Sequence, residues 1–136
     1  MNQRISASET VLAVVVIVHL AVSAVHGVAH MQAHVVLSSA SILFLLTIVV
    51  IGPIVGLIAQ RTILPRGGAW VVAATLAGAL CFGLANHYLI RGSDHVNHVA
   101  EPWRALFGIT AAFLVATEFF GSAVAVWCAT HARRQS

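Results

Sequence analysis

The chain has 136 residues, 60% of them hydrophobic and only 8% charged, about a third of the charged fraction of an ordinary soluble domain, so a water-soluble single domain does not fit. Seven arginines and no lysine against four acidic residues give a formal net charge of +3, but the arginines are scattered rather than gathered into a phosphate-tracking stripe, and no nucleic-acid partner is expected. Cys81 and Cys128 each stand alone in an apolar run, which offers neither a disulfide framework nor a CxxC motif.

Four stretches are long enough to cross a hydrocarbon layer of about 30 Å, which takes about 20 helical residues. The predicted helices cover residues 7–31, 39–60, 69–90 and 102–130. Helices are required because an open strand in lipid leaves backbone donors and acceptors unpaired. The first is opened by Ser6-Ala7-Ser8-Glu9, which reads as a capping box. An alternative for this segment is a secretory signal peptide, with Arg4, the apolar run from Val11 to Val18, and cleavage after Ala24. In the second stretch Gly52-Pro53 predicts a kink, and Gly52-xxx-Gly56 offers a surface for close helix packing. Residues 61–68 hold two arginines and several helix breakers, and the turn before the second helix holds none. Trp70, Trp103 and Trp127 near the span ends fit interfacial anchoring.

Arg4, Arg61, Arg66, Arg133 and Arg134 fall on one side of this layout and Arg91 and Arg104 on the other. The positive-inside rule then places both termini in the cytoplasm. The expected fold is an all-α transmembrane four-helix bundle forming one domain, in a bacterial inner (cytoplasmic) membrane, with the lipid bilayer as its first partner.

Eight histidines in so apolar a chain are the outstanding feature. His19, His26 and His30 lie within about 40° of one another on the first helix, and His26 and His30, four apart, can share one metal ion. Counted inward from the outer ends, His26 and His87 come out level, within about two turns of the surface. Directly after His87 comes the outward loop with Asp94, His95, His98 and Glu101. Asp94, His98 and Glu101 share a face if that loop is helical. Each imidazole taken singly reads as an amphipathic interfacial residue; together, buried imidazoles in an apolar setting each need a partner, which favours a shared site. His131 reads as a tail residue and His34 as solvent-facing.

His26-Gly27-Val28-Ala29-His30 together with Asp94-His95-Val96-Asn97-His98 resembles a set of small four-span bacterial membrane proteins. The resemblance covers nearly the whole chain. It implies the four-helix layout and that the two His motifs belong together, and it supplies no activity, substrate or ligand.

The expected site is a transition-metal centre near the outer face, built from His26, His30, His87, Asp94, His95, His98 and Glu101. Imidazole with carboxylate suits Zn, Fe, Mn or Cu(II). The rival cofactor is haem b held by His26 or His30 with His87, next to the thin surface of Gly78, Ala79, Gly83 and Ala85, taking electrons from a quinol. Glu118 is the one acid within a span and comes out level with His19, so the pair reads either as a proton relay or as a structural hydrogen bond. Further alternatives are a small accessory subunit of a larger membrane complex and a homo-oligomer that transports ions.

Overall fold

The structure, a computed structural model, describes residues 7–62 and 64–131. Among them are four helices long and apolar enough to cross a membrane, and no strand: α1 (Ala7–Gln32), α2 (Ser39–Thr62), α3 (Pro65–Leu89) and α4 (Arg104–His131). Ser6 of the expected capping box, with Arg4, Arg133 and Arg134 of the charge asymmetry, lies outside the described residues. α1 runs unbroken through Ala24 and buries residues on both sides of it, Leu12, Val16 and His19 before, His26 and Ala29 after.

α4 packs along both α1 and α3, and α2 packs along α3. α1 meets α2 chiefly through the second half of α2, from Gly52 to Thr62, and the two helices diverge towards the α1–α2 turn. At the end that holds the termini, Leu12, Val16, Val72, Leu76, Ala125 and Cys128 form the larger apolar core. At the opposite end Ala29, Val99 and Phe107 form a smaller one, with Trp103 packed against it, so this tryptophan serves the core as well as the rim. Ile17, Ile58, Phe113, Phe119 and Phe120 are more than half exposed on the outside of the bundle, where a lipid layer would take up their apolar surface.

Glycine brings α2 and α3 together. A β-carbon at Gly56 would lie 2.7 Å from Val72 Cγ2 and 2.9 Å from the Gly68 carbonyl, and one at Gly68 would strike the Gln60 backbone. Ahead of Pro53 the expected irregularity is a π-helical stretch, Leu45–Ile51. In α-helical register the Val49 carbonyl would accept from residue 53, and proline has no N–H to give. His19 on α1 supplies the missing donor, its Nε2 lying 3.0 Å from that carbonyl.

α3 begins at Pro65, ahead of the expected start at residue 69, because proline is well suited to the first helical turn, where its missing N–H has no intrahelical partner in any case. It ends in a second π-helical turn, Ala85–Leu89, which carries His87. α1 closes with a residue in left-handed conformation, His34 at φ 54°. Its N–H donates to Met31 at 3.2 Å and that of Val35 to His30 at 3.1 Å, the paired bonds of a Schellman cap. His34 is thus an exposed capping residue.

Candidate metal centre

The condition under which Asp94, His98 and Glu101 would share a face, a helical loop, is not met: the segment is a series of turns. The Val96 N–H bonds back to the His87 carbonyl at 3.0 Å, folding the loop over the end of α3. Asp94 is thereby turned inward and buried, and His98 and Glu101 face outward.

Three imidazoles from two helices meet beneath this loop. His26 and His30 project from successive turns of α1, and His87 comes from the π-helical turn of α3. Their ring centroids lie 4.7 Å apart for His26–His30, 4.8 Å for His26–His87 and 5.8 Å for His30–His87. Phe107 of α4 lies against all three, at 4.8, 4.8 and 5.4 Å, and seals that side of the group from water. One ligand atom from each histidine lies within 4.8 Å of the other two.

The hydrogen-bond partners set which proton arrangements the rings can adopt. The Thr110 hydroxyl oxygen lies 2.8 Å from both the Leu106 carbonyl and His26 Nδ1. With its hydrogen on the carbonyl it accepts from His26 Nδ1–H and leaves His26 Nε2 a bare lone pair; with its hydrogen on His26 Nδ1, the ring proton sits on Nε2 and donates to His87 Nε2. His87 Nδ1 lies 3.1 Å from the Asp94 carbonyl and 3.2 Å from Asp94 Oδ1; the carbonyl only accepts, so this nitrogen is the donor, and in the neutral ring His87 Nε2 is the acceptor.

The two Nε2 atoms stand 3.2 Å apart. Without a metal, a single proton between them makes this contact a hydrogen bond; with that proton displaced, both lone pairs are available to a cation beside them. Nitrogens bound to a tetrahedral ion at about 2.0–2.1 Å are about 3.3–3.4 Å apart, so the spacing matches one edge of a metal tetrahedron. His30 supplies the third donor. Its Nε2 lies 3.2 Å from Asp94 Oδ1, and its Nδ1 is buried with no hydrogen-bond partner among the described residues. Asp94 Oδ1 is close to both rings yet in line with neither N–H, and has no aligned partner of its own. It acts on the two rings by charge and proximity, as a carboxylate behind metal-bound histidines does.

The remaining sequence candidates sit elsewhere. His95 Nδ1 accepts from the Asn97 N–H at 3.2 Å, and His98 Nδ1 donates to the Gly92 carbonyl at 2.8 Å. Glu101 pairs with Arg104 at 3.2 Å on the surface. Among the described residues the metal-competent group consists of His26, His30 and His87. His19 and Glu118 do come together one level deeper, with His19 Nδ1 4.0 Å from Glu118 Oε1. A bis-histidine haem needs its two axial rings held apart with the macrocycle between them, whereas the facing nitrogens of His26 and His87 are in direct contact.

Sequence reasoning passed over Thr110 and Phe107. Thr110, Leu114 and Glu118 repeat every four residues and so share one face of α4, and a threonine on the same stripe as the one acid deep within a span was the available signal. No protein-family model, curated protein or solved structure matches the chain.

Proposed function

We propose that the protein is an integral membrane metalloprotein that holds one transition-metal ion through His26, His30 and His87, with Asp94 orienting the rings from behind. The observation that carries this reading is the cluster of three imidazoles, with one ligand atom from each within 4.8 Å of the other two and the buried Nε2 atoms of His26 and His87 3.2 Å apart. A cation that displaces the proton shared by those two nitrogens converts a hydrogen bond into ligation. Three imidazoles with no thiolate favour Zn(II), Fe(II), Mn(II) or Cu(II) over Cu(I). By the arginines of its termini and loops, five on one side against two on the other, the protein spans its membrane with both termini in the cytoplasm and the metal near the outer face; the resemblance of its two histidine motifs to small bacterial four-span proteins makes that membrane the bacterial inner one. Three protein ligands leave a fourth tetrahedral position free, the arrangement of a site that works on a ligand rather than one that only braces a fold.

Elemental analysis of the detergent-purified protein tests this. About one equivalent of a transition metal per chain is expected, lost in His87→Ala and retained in His98→Ala. A metal-free wild-type protein, or retention of the metal in His87→Ala, contradicts the proposal. In the metal-free case the short nitrogen contact would be explained by a shared proton.

A further inference from the structure

A cavity of about 350 Å³ adjoins the triad and reaches down to Glu118, with walls from all four helices. It lies within the range of small-molecule sites, about 300–1,000 Å³. Leu45, Val49, Phe82 and Leu114 make the wall mostly apolar, and the triad, Asp94 and Glu118 supply the chief polar groups. Glu118 is 3% exposed, and its Oε2 is buried with no hydrogen-bond partner among the described residues.

Gly83 stands between that oxygen and the triad. A β-carbon there would lie 3.7 Å from Glu118 Oε2 and 3.8 Å from Cδ2 of His87, the ring carbon bonded to Nε2. The missing methyl leaves a gap with a hydrogen-bond acceptor on one wall and the ligating edge of an imidazole on the other. Access is from the side. Beyond the His19–Val49 bond, α1 and the first half of α2 diverge; Gly27 on the α1 edge has nothing within 4 Å of where its β-carbon would be; and Met31 and Ile42 are exposed. Such an opening faces lipid, so its occupant arrives dissolved in the membrane.

Resting on the metal reading above, we propose that this cavity binds a lipid-soluble molecule with an apolar body and a hydroxyl head, an alcohol or a phenol. The hydroxyl sits at Gly83, donates to Glu118 Oε2 and turns its lone pair towards the fourth position left open by the three histidines. The wall away from the triad and Glu118 is chiefly apolar, formed by Leu45, Val49, Phe82 and Leu114, and suits the apolar body of the molecule.

The test uses the full-length protein in detergent, loaded with Co(II) as a visible-absorption probe and titrated with 4-hexylphenol or hexylbenzene. The phenol is expected to change the cobalt bands saturably and hexylbenzene to leave them unchanged. Gly83→Ala adds a methyl in ordinary van der Waals contact, so cobalt loading persists, but the head group loses its place and apparent affinity falls by about tenfold or more. Gly27→Leu narrows the lateral opening and weakens the response in the same direction. An equal response to both probes, no response to the phenol in cobalt-loaded protein, or full affinity in Gly83→Ala overturns the proposal. A wild-type protein that takes up no cobalt contradicts the metal reading itself, an outcome distinct from cobalt bound without a phenol response.

Discussion

Thr110 acts on the site through a single proton. With its hydroxyl hydrogen on the Leu106 carbonyl, it accepts from His26 Nδ1–H, and that leaves the lone pair of His26 on the side of His87. Thr110→Val removes the acceptor and leaves a buried N–H without a partner, a cost of about 1–3 kcal/mol. His26 can relieve this by moving its proton to Nε2, which abolishes its ligating lone pair. Metal affinity in Thr110→Val is therefore expected to fall by about 10–100-fold, with Thr110→Ser close to wild type, measured by competition with a chelator of known affinity. Equal affinity in Thr110→Val and wild type would remove Thr110 from the account. The three histidines were legible in the sequence because helical spacing and depth are simple geometry. Asp94 could not be told from Glu101 in this way: which loop carboxylate turns inward depends on the Val96 bond back to His87, a backbone detail that no periodicity encodes.

Among the helices, irregular turns place the functional groups. His87 sits in the π-helical end of α3, and the π-helical stretch of α2 ahead of Pro53 presents the Val49 carbonyl to His19. Extra residues within a helical turn redirect side chains and release carbonyls, which is why such turns collect at functional sites. The sequence indicated a disturbance at Gly52-Pro53, since proline lacks the donor; nothing comparable marks residues 85–89. Close packing of α2 on α3 was also foreseeable from Gly52-xxx-Gly56, but Gly68, its counterpart on α3, was assigned to the turn. A methyl at Gly68 has no room, because the Gln60 atoms it meets are backbone. Gly68→Ala is expected to destabilise the protein by about 1–3 kcal/mol, seen as a lower thermal midpoint in detergent, with Gly27→Ala within about 0.5 kcal/mol of wild type. Equal midpoints for the two variants would contradict this packing.

For the whole molecule, the four-span plan follows from length and apolarity, and among the described residues four helices meet both conditions. Sequence periodicity did not reveal that the bundle is closed on one side and parted on the other, with α1 and α2 diverging beside the triad; that asymmetry arises from how three-dimensional surfaces fit. The placement of the site near the outer face predicts a labelling pattern. In a background without native cysteines, Ser93→Cys in the α3–α4 loop is expected to react with a membrane-impermeant maleimide in intact cells. Leu64→Cys in the α2–α3 turn is expected to react only after permeabilisation. The reverse pattern would put the metal on the cytoplasmic side.

The central claim is that three imidazoles ligate one metal ion within the bundle. X-ray absorption at the metal edge of protein purified without added metal tests it most directly. The account predicts about three imidazole nitrogens, at about 2.0–2.1 Å if the metal is zinc, with no sulfur in the shell. A sulfur-containing shell, a shell of oxygen alone, or the lack of any stoichiometric metal edge would contradict it.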